Sequence, residues 1–226
     1  MSGSEDPQLE RLRSLVDPAT TAVVTMELQQ GVVGPEALLP ELVQRVAETG
    51  TVGAAAKVCR AARTVGARVV HCTAEHRADG AGATENAKIM ALIGRLRREQ
   101  GLPTEIGTPG AALVAELGPE PADIIIPRMH GMTPFMSTSL DQMLRNIGTR
   151  TVVVTGVSVN IGILGLCLNA LDLGYQVVLV RDAVAGVPAE YADAVIDHTL
   201  SLIATITTSA ELCSLWDAVG QENHNG

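Results

Sequence analysis

The chain has 226 residues, a formal net charge of −9 at pH 7 and a pI near 5.0. This acidic balance argues against a nucleic-acid groove or an anionic membrane surface as its partner, and no apolar run reaches the roughly 18 residues that a membrane span needs. Hydrophobic residues make up 46% of the chain but aromatic residues only 2%, so the core must be aliphatic, as is typical of strands buried beneath helices on both faces.

The cysteines and the amino terminus favour a cytoplasmic protein. The first residues, M-S-G-S-E-D-P, are polar and acidic and lack the apolar run of a signal peptide. The cysteines are widely spaced and form no C-x-x-C pair, so we expect reduced, buried thiols rather than disulfides. They are Cys59, Cys72, Cys167 and Cys213.

Five runs rich in β-branched or other apolar residues predict strands, and each run is bounded by turn residues. They cover residues 20–26, 68–73, 123–126, 151–155 and 176–180, with a weaker sixth candidate at 201–207. Because the runs are continuously apolar rather than alternating, they are typical of central strands in a parallel sheet.

The segments between these strands carry apolar residues at helical spacing. The predicted helices cover residues 42–64, 87–98, 108–117, 139–147 and 191–199, and a further helix after the fourth strand carries Gly162 in its first turn. This alternation predicts a single α/β domain over residues 1–226, a three-layer αβα sandwich with a six-stranded, mainly parallel sheet.

Three regions fall outside this regular pattern. Residues 1 to about 18 form an amino-terminal extension, and residues from about 219 onwards are expected to form a disordered tail. The region 78–107 is the longest irregularly patterned part of the chain, which makes it the best candidate for a cap, a lid or an oligomer contact.

Charged residues that directly follow two of the apolar strands are the first candidates for a site. In an open α/β sheet, ligands bind beyond the carboxyl ends of the strands. Glu27 follows the first strand and Arg128 follows the third, where a charge is costly unless it is paired or functional. Arg128 could bind a substrate carboxylate or pair with Glu27, and a purely structural ion pair is an equal alternative.

Seven motifs carry a family resemblance when they are taken in chain order. They are T-A-V-V-T-M-E-L-Q-Q, G-T-P-G-A-A-L-V-A-E-L, D-I-I-I-P-R, P-F-M-S-T-S-L-D-Q-M-L-R, T-V-V-V-T-G-V-S-V-N-I-G, A-L-D-L-G-Y-Q-V-V-L-V and R-D-A-V-A-G. Together they resemble the isochorismatase-like hydrolases, the superfamily that includes nicotinamidases and other cysteine amidohydrolases. The resemblance implies a Rossmann-like isochorismatase fold that assembles into a homo-oligomer, a dimer or a tetramer.

The resemblance also implies a site at three positions, and this chain departs from the amidase pattern at each of them. Glu27 stands where the family has an aspartate. Arg128 stands nearest to the family's lysine, although a one-residue difference in spacing also allows Met129 to fill that position. Gly162 aligns with the nucleophilic cysteine of amidase members, and the isochorismatase branch resembles this chain in carrying a glycine there.

The three departures have different consequences for the chemistry of the site. Because Gly162 has no side chain, thiolate attack and an acyl-enzyme are excluded at this position, and Cys167 lies too far along the helix to replace it. Glu27 can still donate a proton as a general acid/base, whereas Arg128 can only position an anion because it does not deprotonate. The isochorismatase branch hydrolyses a vinyl ether by acid-assisted water addition, so the resemblance to that branch implies vinyl-ether chemistry rather than amide hydrolysis.

The remaining candidate site residues surround this pair. The resemblance implies a cis peptide between residues 157 and 158, with the N–H groups of Ser158 and Gly162 facing the crevice as an anion hole. Gln30 lies just past the first strand and is a candidate for substrate binding. Met129 and Phe135 could line an apolar pocket, although buried methionines are more often plain core residues.

The sequence predicts neither a metal site nor a cofactor. His71, Glu75 and His76 resemble the metal-binding segment of nicotinamidases, but the required aspartate is absent and a catalytic metal needs about three protein ligands. Histidines in such segments are more often hydrogen-bonded or exposed side chains than metal ligands. The glycines after the fourth strand do not form G-x-G-x-x-G, so a nicotinamide-binding domain is not predicted.

Two functional hypotheses remain open. In the first, the protein is a hydrolase of a small anionic or amide-bearing metabolite, with Glu27 as general acid/base and Arg128 as electrostatic anchor. In the second, the fold binds a small molecule or a protein partner without catalysis, and the Glu27–Arg128 pair is structural. A charge pair at the sheet edge favours the hydrolase.

Overall fold

The computed structural model describes residues 7–136 and 138–224. Its centre is a six-stranded, wholly parallel sheet with the strand order β3-β2-β1-β4-β5-β6. The strands are β1 (Thr21–Met26), β2 (Arg68–Ala74), β3 (Ile124–Arg128), β4 (Thr151–Val157), β5 (Gln176–Ala185) and β6 (Thr205–Thr207). The direction of chain progression reverses between β1 and β4, and such a switch point is where α/β sheets open a ligand crevice.

Helices cover both faces of the sheet, which confirms the predicted three-layer α/β fold. They are α1 (Pro7–Leu15), α2 (Gln30–Val33), α3 (Pro40–Thr49), α4 (Thr51–Val65), α5 (Lys88–Gln100), α6 (Leu140–Asn146), α7 (Leu164–Asp172), α8 (Ala189–Val195), α9 (Ser201–Ile203) and α10 (Ser209–His224). Successive side chains of a strand lie on opposite faces of the sheet and belong to two separate cores. Val23 packs beneath α4 and α10, whereas Val24 packs beneath α6 and α7. Among the described helices, none is long and apolar enough to cross a membrane.

The prediction of a single helix over residues 42–64 is wrong in one respect, because the structure has two helices there, α3 and α4. Gly50 separates them with a φ of +66°, in the left-handed region that glycine adopts at little cost. The apolar periodicity continues across this break, so the pattern alone does not reveal it.

Three further predictions are corrected by the structure. The predicted helix over 108–117 is two separate 3₁₀ turns, Pro109–Ala111 and Ala115–Leu117. The weak strand over 201–207 contracts to the three residues of β6, because its first part is the short helix α9. Instead of a disordered tail from 219, α10 continues to His224, and only residues 225–226 of that tail lie outside the described residues.

The cysteines are unpaired, as the sequence predicts. Cys59, Cys72 and Cys167 are buried and Cys213 is half-buried. Burial raises the pKa of each of the first three thiols to about 12. None of these three groups is therefore a thiolate near neutral pH.

A buried polar network joins the first three strands to α4. His71 on β2 lies with its Nδ1 2.8 Å from Thr25 Oγ1 on β1 and its Nε2 3.3 Å from Asp123 Oδ2 beside β3. Asp123 in turn accepts hydrogen bonds from Arg63 of α4 through Nη2 at 2.7 Å and Nε at 3.2 Å. Because both imidazole nitrogens have partners inside the fold, His71 stabilises the packing of these elements as a neutral side chain.

This network predicts that folding stability depends on pH. Burial lowers the pKa of His71 below its usual 6.5, although Asp123 opposes the shift. The unfolded chain then binds more protons, so this contribution is complete above pH 6.5 and is lost as the pH falls through the folded-state pKa. We expect the unfolding free energy from urea titrations to fall between about pH 7.5 and about pH 5, and to fall less in His71→Gln.

A matched variant separates the contribution of the buried His71 from that of replacing any histidine. His198 is an exposed histidine, and His198→Gln should keep the wild-type slope. His76, whose pKa is also lowered by burial, contributes to the slope that remains in His71→Gln. Identical slopes in wild type and His71→Gln would contradict the role of the buried imidazole.

Candidate active site

Three chain segments meet at the carboxyl edge of the sheet, beside the switch point. In the parallel register, Met26 lies between Cys72 of β2 and Gly156 of β4, and Arg128 lies beside Ala74 of β2. The residue after Met26, the end of β3 and the turn after β4 are therefore neighbours. The structure thus brings together the segments in which the sequence placed the candidate site.

Glu27 and Arg128 form a buried ion pair at this edge. Arg128 Nη2 donates a hydrogen bond to Glu27 Oε1, and Nη1 donates to the backbone carbonyls of Gly131 and His130. The Arg128 side chain is 8% exposed and that of Glu27 is 20% exposed. The guanidinium is thus fixed by the chain around it, and the carboxyl group keeps the larger share of contact with solvent.

Burial controls the protonation of Glu27. Desolvation raises the pKa of its carboxyl group above the usual 4.5, and the attraction of Arg128 and its hydrogen bond only partly oppose this shift. A carboxyl group with a raised pKa stays partly protonated closer to neutral pH, which is the state in which it can donate a proton.

The backbone of Glu27 has an unusual conformation. Its φ is +54°, and among the described residues it is the one non-glycine residue with a positive φ. Such a conformation costs an ordinary side chain of the order of 1 kcal/mol and is concentrated at functional sites. The Glu27 N–H donates to the carbonyl of Cys72 at 2.8 Å, which holds this turn against the end of β2.

Gln29 holds the same segment in place from inside the fold, a role that no sequence pattern indicates. Its side chain is fully buried. Its Nε2 donates to the carbonyls of Ala74 at 3.0 Å and Ala111 at 2.8 Å, and its Oε1 accepts from the Ala74 N–H at 2.7 Å. Gln29 therefore joins the residues after β1 to the end of β2 and to the 3₁₀ turn Pro109–Ala111.

The turn after β4 has the predicted backbone geometry. The peptide bond between Val157 and Ser158 is cis, and Val159–Ile163 form a π-helical turn that leads into α7. The Ser158 hydroxyl donates to Asn160 Oδ1 at 2.8 Å, and its carbonyl accepts from the Ile163 N–H at 3.0 Å. The Ser158 side chain therefore stabilises the turn itself.

Gly162 packs directly against the end of β1. A Cβ atom at this position would lie 2.6 Å from Met26 Cε and 3.1 Å from Met26 Sδ. Since Met26 is buried, its thioether occupies the space that a side chain at position 162 would need. The absence of a side chain at Gly162 is thus matched by a long side chain on the neighbouring strand.

The other three candidate residues, Phe135, Met129 and Gln30, lie in different surroundings. Phe135 is buried, with its ring centroid 5.9 Å from that of Tyr175, so it is part of the core beneath α6 and α7. Met129 is 49% exposed next to Arg128. Gln30 begins α2 and lines a cavity of 380 Å³ that is not lined by Glu27 or Arg128.

Two cavities in the described part of the chain lie away from the ion pair. The one beside Gln30 lies between α2 and α3, and one of 290 Å³ lies between α3, the end of β5 and α8, lined by Arg45 and Asp193 among others. We place the candidate site at Glu27 and Arg128 rather than at either cavity. A charge pair with a perturbed pKa at the switch point is the stronger indication of chemistry.

Residues 7–136 and 138–224 contain no group of three or more His, Cys, Asp or Glu side chains arranged to hold a metal ion. His71 is part of the buried network with Thr25 and Asp123. Glu75 Oε1 accepts from the Thr73 hydroxyl at 3.1 Å, and His76 Nδ1 lies 2.9 Å from Thr104 Oγ1. The three side chains that resemble a metal-binding segment therefore have separate partners.

Comparisons with known proteins agree with this architecture. The family model of the isochorismatase domain matches residues 21–211. The ureidoacrylate amidohydrolase RutB of Pseudomonas syringae pv. syringae (strain B728a) is 27% identical over 239 aligned residues, which cover 98% of this chain and 97% of the relative. RutB of Methylobacterium radiotolerans is 32% identical over 179 residues, covering 74% of this chain and 68% of the relative.

A solved structure supports the same conclusion. An isochorismatase family protein from Desulfovibrio vulgaris subsp. vulgaris str. Hildenborough superposes with a TM-score of 0.76 at 29% identity, covering 87% of this chain and 97% of that one. The six-stranded parallel sheet flanked by helices is the α/β fold of isochorismatase-family proteins, a family of hydrolases. The chain belongs to the isochorismatase family.

Proposed function

We propose that this protein hydrolyses a small, anionic metabolite by acid/base chemistry at Glu27, without a cysteine nucleophile. The observation that carries the proposal is a half-buried carboxyl group with a raised pKa, held by a buried arginine at the switch point of the sheet. Members of the family are hydrolases. At the sheet edge, Glu27 can supply a proton and Arg128 a fixed positive charge.

The two side chains have different tasks. Glu27, kept partly protonated by burial, donates a proton to the atom on which charge develops as the bond breaks. Arg128 cannot deprotonate, so it attracts the anionic group of the substrate and holds Glu27 in place. Binding of a substrate carboxylate beside Arg128 would also favour protonated Glu27, because two carboxylates cannot both remain ionised at short distance.

The remaining candidates complete the proposed site. We infer that the N–H groups of Ser158 and Gly162 contribute an anion hole in the turn after β4, and that the exposed Met129 supplies an apolar contact, with Phe135 supporting the site from the core. Gly162 stands where a nucleophilic cysteine would otherwise be, and the packing of Met26 into that space supports chemistry without covalent attack. Gln30 contacts substrate only if the crevice extends towards the 380 Å³ cavity.

The relatives narrow the substrate class. RutB proteins are named as ureidoacrylate amidohydrolases, and ureidoacrylate is a small carboxylate that bears a ureide. A substrate of this kind suits an arginine at the edge of the site. We therefore propose a carboxylate-bearing ureide, amide or vinyl ether as the substrate, with the vinyl ether best suited to a site that lacks a thiol.

The test is turnover of a panel of carboxylate-bearing vinyl ethers, amides and ureides, with products identified by mass spectrometry. We expect at least one substrate to be hydrolysed by wild type, and its uncharged ester to be hydrolysed poorly. Thiol involvement is checked with Cys72→Ala, since Cys72 is the buried cysteine whose pKa is affected by both Arg128 and Glu27. This variant should stay within about threefold of wild type because its thiol is not ionised.

Two results would contradict the proposal. Loss of activity in Cys72→Ala, or after alkylation of the protein, would show that a thiol performs the reaction. No turnover of any panel member would favour the alternative, a member of the family that binds a small molecule or a protein partner without catalysis.

We further propose that the protein is a cytoplasmic homo-oligomer, a dimer or a tetramer, that does not bind nucleic acid. Its acidic charge supports the last point. The outer face of the turn after β4 and of α7 exposes Ile161, Leu168 and Leu171, and such an apolar stripe is typical of a surface that a second copy covers. Light scattering should give a multiple of the 23.6 kDa chain mass.

A further inference from the structure

Hydrolysis through Glu27 and Arg128 alone makes one group carry out both proton transfers. The attacking water must lose a proton and the substrate must gain one, and Arg128 cannot accept a proton at any physiological pH. Glu27 can serve as proton donor and as base only in successive steps, with a change of its own protonation state between them. A second titratable group, neutral at pH 7 and at the same edge of the sheet, would accept the water proton while Glu27 donates its own.

His76 is placed at that edge by the strand register. Ala74, the last residue of β2, lies beside Arg128 in the parallel pairing, and the next N–H, that of Glu75, donates to the Arg128 carbonyl at 2.9 Å. His76 follows directly. The chain therefore carries an imidazole one residue beyond the last backbone contact with the arginine of the ion pair.

His76 is held on three sides. Its backbone N–H donates to the Thr104 carbonyl at 3.0 Å, and its carbonyl accepts from the Ile106 N–H at 2.9 Å. Its Nδ1 lies 2.9 Å from Thr104 Oγ1. Its Nε2 has no hydrogen-bond partner among the residues that the structure describes. A half-buried imidazole fixed through one nitrogen, with the other unpaired, has the arrangement of an oriented base.

Burial and the neighbouring arginines favour the neutral form of His76. Burial lowers its pKa below the usual 6.5, and Arg128 on β3 and Arg97 on α5 lower the pKa further, against a weaker opposite effect of Glu105. Burial raises the pKa of Glu27 at the same edge. Titratable groups whose surroundings move their pKa values in opposite directions are the usual acid and base of one reaction.

We propose that His76 is the general base of this hydrolase and accepts a proton from the attacking water at Nε2. The proposal rests on the proposed function. With an amide or ureide, the water oxygen forms a bond to the carbonyl carbon and the bond from that carbon to nitrogen breaks; the water proton goes to His76 and the proton of Glu27 goes to the nitrogen. With a vinyl ether, the proton of Glu27 goes to the vinylic carbon, the water oxygen bonds to the carbon that bears the ether oxygen, and the water proton goes to His76. The hemiketal so formed then breaks its bond to the ether oxygen, which takes the hydroxyl proton. Transfer of a proton from His76 to Glu27 then restores both groups.

The proposal requires one tautomer. For Nε2 to carry the lone pair, Nδ1 must carry the hydrogen and donate it to Thr104 Oγ1. Side-chain ¹⁵N spectra of the wild-type protein should show this Nδ1–H form of His76 at pH 7. In Thr104→Val the acceptor is lost, and we expect a mixture of tautomers with kcat lowered about tenfold. An Nε2–H tautomer in wild type would overturn the proposal.

The pH dependence of kcat/KM supplies the second readout. Wild type should give a bell, with the acid limb set by His76 and the basic limb by Glu27. His76→Gln, whose amide can still bond to Thr104, should lower kcat/KM about 10²-fold and remove the acid limb. The exposed His198→Gln is the matched control and should keep the wild-type profile.

The possible outcomes separate this proposal from the function on which it rests. If wild type turns over a panel substrate and His76→Gln keeps its rate and its acid limb, the base is another group and only this proposal fails. If wild type turns over no substrate, both fail. Loss of the limb in His76→Gln, together with the Nδ1–H tautomer in wild type, supports the assignment.

Discussion

Replacing Glu27 with glutamine is expected to lower kcat by about 10²–10⁴-fold on any substrate that wild type hydrolyses. Glutamine has nearly the same shape and can still accept a hydrogen bond from Arg128, but it cannot donate a proton to a leaving atom. KM should change little, because Arg128 remains in place to attract the substrate. Steady-state kinetics on the best panel substrate measure the effect.

The pH profile separates a chemical role of Glu27 from a structural one. Since burial raises its pKa, the protonated acid persists above the usual 4.5 and is lost as the pH rises through the folded-state value. That basic limb should be absent in Glu27→Gln. The exposed Glu10→Gln on α1 is the matched control and should keep both rate and profile. Equal kcat in Glu27→Gln and wild type would leave the ion pair with a structural role only.

Glu27→Gln also changes the stability of the fold, through two effects that oppose each other. A raised folded-state pKa means that the folded chain binds more protons, so this group stabilises the fold most below pH 4.5 and loses that contribution as the pH rises. In Glu27→Gln the buried charge of Arg128 loses its counter-ion, which opposes the gain from removing a buried carboxylate. Activity should therefore be compared at a temperature where both proteins are folded.

The sheet and the ion pair could be predicted because each depends on a local pattern. Continuous apolar runs mark strands that are buried on both faces, and every strand of the sheet overlaps one of the predicted runs. Glu27 and Arg128 stand out because a charge directly after such a run needs a partner. Parallel strands bring their carboxyl ends to one edge, so two separate patterns suffice to predict one contact.

The contribution of Gln29 and the setting of His76 could not be predicted in this way. Gln29 is a polar residue among polar neighbours in the sequence, and its burial depends on the turn at 109–111, some 80 residues away. His76 depends on Thr104, whose position is set by an irregular segment rather than by a periodic element. The break at Gly50 is not predictable from the pattern for a related reason, because apolar spacing continues through it.

Gln29→Leu is expected to destabilise the fold by about 3–9 kcal/mol, since it leaves three largely buried backbone groups without partners at about 1–3 kcal/mol each. Those groups are the N–H and carbonyl of Ala74 and the carbonyl of Ala111. Leucine has a similar volume, so the loss reflects polarity rather than a cavity. Urea unfolding gives the free energy, and hydrogen exchange at the Ala74 amide reports the local opening.

Gln30→Leu is the matched control, because it makes the same chemical change one residue further along, at a half-buried side chain that lines a cavity. Its cost should stay within about 1 kcal/mol. A similar loss in both variants would show that leucine is not tolerated in this segment at all, rather than that Gln29 joins it to β2.

Gln29→Glu gives the decisive comparison, because it changes charge and hydrogen bonding with almost no change of shape. Its carboxylate can still accept from the Ala74 N–H, but an oxygen would replace the donor that faces the carbonyls of Ala74 and Ala111. A fully buried carboxylate against two carbonyl oxygens should cost at least as much as leucine near neutral pH. Because the folded state would favour the protonated form of this carboxyl group, the difference from wild type should narrow as the pH falls.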